Sequence, residues 1–179
     1  MHRLSLAAAA LCTVLVTSPG AFAQVPPNPD NPNDAVPDVM PFDIPYGEPI
    51  NLETARKVAD AAVAEAQKHG NWKQCIAIVG PSGDLVYFVR MDGSQNASPA
   101  IAMHKARVAA RFRRPTLAFE TLMGKGPYFS YLATLDDVIA SRGGNPLIVD
   151  GKLIGAIGVS GATGSQDDTV SKAGVAALK

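Results

Sequence analysis

The 179-residue chain reads as an α/β protein of the α+β kind, with helices packed on one central antiparallel sheet. Two pairs of short apolar segments are each joined by a turn of the type that closes a hairpin. Helical stretches precede, separate and follow these pairs, so the order is helix, hairpin, helix, helices, hairpin, helix, which does not suit a parallel doubly wound sheet. A composition of 47% hydrophobic and 18% charged positions suits one globular domain, and no repeat at solenoid spacing occurs.

The chain opens with "MHRLSLAAAALCTVLVTSPGAFAQ". A basic start at Arg3, an apolar run over residues 4–16 and Ala21-Phe22-Ala23 as a small-residue cleavage site make residues 1–23 an export signal, cut near Ala23. The expected location is therefore periplasmic or secreted. The apolar run falls short of the ~20 residues that cross a bilayer, so the mature chain is expected to carry no transmembrane segment. Removing the signal takes away Arg3 and leaves 15 basic against 16 acidic positions, a balance that makes no electrostatic case for nucleic acid. It also takes away Cys12, so Cys75 stands alone and cannot form an intramolecular disulfide.

Residues 24–50 hold eight of the fourteen prolines and little periodic apolar content, which predicts a solvated polyproline-like arm. The arm is either a spacer or, through "VMPFDIPYG", a segment that packs on a neighbouring subunit. The domain proper, residues 51–179, begins with a helix capped by Asn51, with Leu52, Ala55, Ala59, Ala62 and Ala66 on its apolar face and a stop at Gly70. "QCIAIVG" and "LVYFVRM" flank "PSGD" as a hairpin. A second helix follows in "SPAIAMHKARVAARF", with Ser98 as N-cap and Pro99 at the first helical position. "TLAFETLMGKG" predicts a short helix and a glycine loop, and "YFSYLATLDDVIASRGG" a further helical stretch closed by Gly143 and Gly144. In "NPLIVDGKLIGAIGVSG" two strands surround Asp150-Gly151, a dipeptide suited to the two positive φ angles of a type I′ turn. The last helix is expected to start near Ser165, with Asp168 completing an imperfect capping box.

Glycines at 155, 158, 161 and 164 resemble a phosphate-cradling turn, but the spacing fails both G-x-G-x-x-G and G-x-x-x-x-G-K-[ST]. Asp167 and Asp168 would also repel a phosphate at the following helix, so no nucleotide is expected. Gly155 and Gly158 inside an apolar strand mark close approach of a backbone, a helix or a ligand instead.

At about 100° per residue, Ala102, Val108, Ala109 and Phe112 share one arc of the second helix and Lys105 falls in its middle. Its stem packs while the ammonium snorkels to the rim, or it is a cation at the floor of a pocket, holding a carboxylate or working as an acid/base group. His104 stands at the edge of that arc and is the candidate haem ligand, with His69 second. The absence of C-x-x-C-H excludes covalent haem, leaving haem b, and two separated histidines with one cysteine do not make a structural zinc site. The four arginines of "RVAARFRRP" form a solvated face, an anion-binding rim or a subunit contact, and Asp92 in "RMDGSQ" is placed to border a pocket.

Together "FVRMDG", S-x-x-I-A-x-x-K-A in "SPAIAMHKARVAARF", and "GGNPLIVDGKLIGAIGVSGATGSQDD" resemble the GlcG/HbpS family, also found as the C-terminal domain of PduO-type proteins, over residues 51–179. The resemblance implies a profilin-like fold, a homo-oligomer and, for some exported members, haem binding. Its pattern matches Asp92, Gly93, Lys105, Gly143, Gly144, Pro146, Gly155, Gly158, Ser160, Gly161 and Asp167, while Val108 stands where a threonine is common. The expected ligand pocket is thus Asp92, Lys105, Ser160, Gly161 and Asp167. Two functions follow: haem binding in an apolar cleft with basic residues at the propionates, or an enzyme or accessory protein for a small organic acid anchored by Lys105.

Overall fold

The computed structural model describes residue 28 and residues 30–178. The predicted export signal lies outside them. Among the described residues no helix is long and apolar enough to cross a membrane.

The domain is a four-stranded, fully antiparallel sheet between two helical layers, the fold class expected from the element order. Helix α1 (Leu52–Gln67) leads to the hairpin β1 (Cys75–Val79) and β2 (Leu85–Arg90), then α2 (Ser98–Arg111) and the short α3 (Leu117–Met123). The hairpin β3 (Gly144–Val149) and β4 (Lys152–Ser160) and the last helix α4 (Gly164–Ala176) complete it, in the spatial order β2-β1-β4-β3. Alternation along the strands divides the core into two faces. Ile76, Ile78, Ile157 and Val159 pack under α1 and α4, while Cys75, Ala77, Val79 and Ala156 pack under the alanines of α2.

The alanine-rich helices lie close to the sheet because little side chain intervenes. A Cβ on Gly158 would stand 2.1 Å from the carbonyl oxygen of Ala102 and 2.4 Å from the amide nitrogen of Ala106, so α2 crosses β4 backbone on backbone. Gly155 faces the other layer, where a Cβ would meet Val79 O at 2.2 Å. Close approach is therefore the use of both glycines. The Asp150-Gly151 turn has φ of 49° and 73°, as a type I′ hairpin requires.

Several local expectations are corrected. Leu52 is 48% exposed, and Val58 supplies the buried position on α1 that it was expected to fill. Ser98 does not cap α2: Ala97 precedes the helix in αR conformation and Ser98 is buried, its Oγ without a partner. For α4 the cap is Thr163 in a capping box with Gln166, not Ser165 with Asp168, because the chain leaves β4 through Gly161 and reaches extended backbone at Thr163. The stretch after α3 is a 3-10 helix over Pro127–Thr134 followed by irregular chain. Phe129 and Leu132, three apart, share the one side of such a helix that packs on Phe119 and Val108.

The last residues of the arm, 42–50, pack on the domain they precede. Tyr46 bridges Leu153 in parallel, Gly47 N–H donates to Leu153 O at 2.8 Å, and Ile50 N–H donates to Ile154 O at 2.8 Å. The arginines after α2 hold it: the Arg114 guanidinium lies 3.8 Å from the Phe42 ring centroid and Arg113 donates to Ile44 O at 3.1 Å.

Candidate functional site

The antiparallel pairing brings the start of β1, the end of β2, the end of β4 and the start of β3 to one end of the sheet. All five predicted pocket residues lie at this end, but on two sides of the chain entering β1. Lys73 and Gln74 are successive residues of the chain entering β1 and differ in burial. Lys73 is exposed beside Gly93, whereas Gln74 is fully buried against Asp167.

On the buried side, Lys105 Nζ donates to Asp167 Oδ2 at 2.8 Å, with side chains 2% and 3% exposed. The snorkelling geometry for Lys105 is thereby overturned: its ammonium ends on an internal carboxylate, not at the rim. Asp167 Oδ1 accepts from Gln74 Nε2 at 2.9 Å and from Ala162 N–H at 3.1 Å, so the carboxylate is matched by a cation and two further donors. Gly143, at φ +113°, closes the knot, since a Cβ there would lie 2.8 Å from Asp167 Cβ and 3.1 Å from Lys105 Nζ. Ser160 is buried opposite Cys75, and Gly161, at φ +149°, lets the loop pass over the backbone of Lys73 and Gln74. This arrangement ties α2, α4 and β1 together and leaves Lys105 no need of an external acid.

On the open side, Asp92 follows β2 into a cleft of about 460 Å³. Val63, Trp72, Val89 and Met91 form its apolar part, Lys73 and Asp92 are exposed charged residues in it, and Arg90, whose guanidinium donates to Ser94 and Asn96, lines it at the end of β2. The His69 ring stacks on Trp72, with centroids 3.8 Å apart and 14° between planes, and its Nε2 is 3.4 Å from Glu65 Oε1. Asp92 thus lines this cleft and His69 stacks on its Trp72, while Lys105, Ser160, Gly161 and Asp167 are not among its lining residues. Trp72, Lys73, Gln74 and Met91 were not singled out from the sequence. The signal for the first was its being the one tryptophan, placed just before a strand.

His104 stands elsewhere, its side chain 35% exposed and its Nε2 3.8 Å from Asp137 Oδ1. That Nε2 is buried and makes no hydrogen bond, while Asp137 is held by Arg111 Nη1 at 2.7 Å. Cys75 is buried, its Sγ 3.3 Å from Ser94 Oγ. Among the described residues no three His, Cys, Asp or Glu side chains gather as a metal cluster.

Set against known proteins, residues 50–176 match the family described as "Haem degrading protein HbpS-like". Protein GlcG of Escherichia coli (strain K12) is 39% identical over 111 residues, covering 62% of this chain and 81% of that one. Among solved structures, Streptomyces reticuli HbpS, as a double mutant, is 29% identical with a TM-score of 0.67 and covers 81% of this chain and 97% of its own. A PduOC:heme complex is 25% identical with a TM-score of 0.66, covering 72% and 94%. The family match over residues 50–176 and these likenesses agree, and the chain belongs to the GlcG/HbpS family.

Proposed function

We propose that this chain is an exported haem-binding protein that holds haem b in the Trp72 cleft. The observation that carries the reading is the donor set of that cleft in a chain whose fold matches a heme complex. Haem iron is held by imidazole or thioether ligands among others, and Met91 lines the cleft while His69 stacks at its wall. Val63, Trp72 and Val89 offer apolar surface to the ring, and the exposed Lys73 offers a charge-assisted hydrogen bond to a propionate. A volume of about 460 Å³ falls within the range of cofactor clefts. Bound haem supplies a redox-active iron, and the chain's own residues orient it and limit its contact with water. The small-acid reading loses its anchor, because Lys105 is already paired with Asp167. Export by residues 1–23 and assembly into a homo-oligomer belong to the same reading, and are tested by the N-terminus of the secreted protein and by light scattering.

Titrating the mature protein with hemin tests the central claim. A saturable shifted Soret band is expected, altered by Met91→Leu or His69→Ala and weakened by Lys73→Glu. A band altered only by His104→Ala would move the iron to α2, and no shifted band at all would end the haem reading.

A further inference from the structure

We infer that a second cleft, between the arm, β3 and α4, binds a single-chain amphiphile with an apolar tail and an anionic head of the fatty-carboxylate kind. It shares no lining residue with the Trp72 cleft and has a volume of about 490 Å³. Its walls are Phe42 and Ile44 from the arm, Pro146 and Ile148 from β3, and Val175 from α4. Phe42 and Ile148 are left 41% and 40% exposed, so apolar surface faces water where a tail would cover it. Two cations, Arg113 and Lys172, also line the cleft.

The polar groups favour an anion over a neutral head. Among the described residues the cleft is lined by two cations, Arg113 and Lys172, and by no carboxylate, each cation being paired with a neighbouring acid, Asp43 and Asp168, that does not line it. Both side-chain bonds recorded for Arg113, to Asp43 Oδ1 at 3.2 Å and to Ile44 O at 3.1 Å, use Nη1. The remaining donors of its fork stay available for a carboxylate. Lys172 is 61% exposed and gives one contact, 2.6 Å to Asp168 Oδ2, leaving further ammonium protons.

The backbone points to the same place. Of the three non-glycine residues at positive φ among the described residues, Asp150 belongs to the hairpin turn, while Phe42 at 61° and Arg113 at 53° both line this cleft. Backbone held in a sparsely populated region by its surroundings is characteristic of ligand clamps. The arm completes the site, because one wall comes from residues that precede the domain's first helix.

Calorimetric titration of the full mature chain with decanoate and with 1-decanol tests the inference independently of haem. Saturable 1:1 decanoate binding is expected, at least tenfold tighter than 1-decanol. Ile148→Asp should weaken both ligands at least tenfold, whereas Lys172→Glu, on an exposed helical position, should weaken decanoate alone. Neither variant should alter the hemin titration, and Trp72→Ala should leave decanoate binding unchanged. Absence of saturable decanoate binding, binding that Lys172→Glu leaves intact, or binding lost with Trp72→Ala would each overturn the proposal. Failure of hemin to bind would overturn only the haem reading.

Discussion

The knot around Lys105 and the cleft around Trp72 lie back to back at one end of the sheet, separated by the Lys73–Gln74 backbone, and they treat charge in opposite ways. In the knot, the ammonium and the carboxylate pair away from water and the Gln74 amide donates to the same carboxylate, its own Oε1 buried without a partner. In the cleft, Lys73 and Asp92 are exposed, and an aromatic ring and a thioether stand beside them. A charged residue among apolar ones signals a specialised environment, but whether that environment is internal or open depends on what the rest of the chain brings to meet it.

Breaking the knot should give the largest effect. Lys105→Met or Asp167→Leu alone leaves an uncompensated buried charge and should cost about 3–5 kcal/mol, whereas the double variant should recover most of that loss. Urea unfolding measures both, and single variants costing less than about 1 kcal/mol would show that water reaches the pair.

Next in size is the layer beneath it. Gly158→Ala places a methyl group against α2 backbone and should destabilise by about 1–3 kcal/mol or more, read as a lower denaturation midpoint at unchanged slope.

The cleft should respond in ligand binding rather than stability. Met91→Leu conserves volume, so its unfolding free energy should move by less than about 1.5 kcal/mol while the spectrum with hemin changes. A spectral change without a stability change would sharpen the contrast with the knot, and the reverse would erase it.

The smallest effect belongs to the rim, where Arg142 donates to Glu120 through both its backbone N–H at 2.7 Å and its side-chain Nε at 2.8 Å. The side-chain hydrogen bond from Arg142 is the main cause that lowers the Glu120 pKa below its ordinary 4.5, with the backbone bond and charge attraction adding to it and burial opposing it. A carboxylate whose folded pKa is depressed contributes stability above its unfolded pKa and loses it as pH falls through the folded value. Wild type should therefore lose about 0.2–1 kcal/mol more than Glu120→Gln as pH drops below about 4.5, the pair being one-third exposed and solvent-screened. Parallel acid titrations of stability check it, and curves of identical shape would contradict it.

Much of the fold was legible because it is locally encoded. Asn51 caps α1 by accepting from Thr54 N–H, and Asp150-Gly151 makes its turn, since both depend on residues within a few positions of each other. The last cap was misplaced by two residues because Ser165 and Thr163 are chemically alike, and only the exit path through Gly161 chose between them. The 3-10 stretch was harder still, since its three-residue spacing pays off only against Phe119 and Val108.

The candidate site divides in the same way. Periodicity placed Lys105 on an apolar arc, glycine spacing with the acids after it argued against a phosphate loop, and glycines inside an apolar strand marked a close approach at Gly158. Those conclusions rest on helix and strand geometry, which a linear pattern carries. That Asp167, 62 residues away, meets Lys105 followed from how α2 and α4, on opposite faces of the sheet, come together at its end, and that Gln74 completes the pair followed from where the chain enters β1. Pairing across such distances in the chain depends on how layers dock, so only the tertiary structure could decide that Lys105 closes the core while Asp92, Trp72 and Met91 face an open cleft.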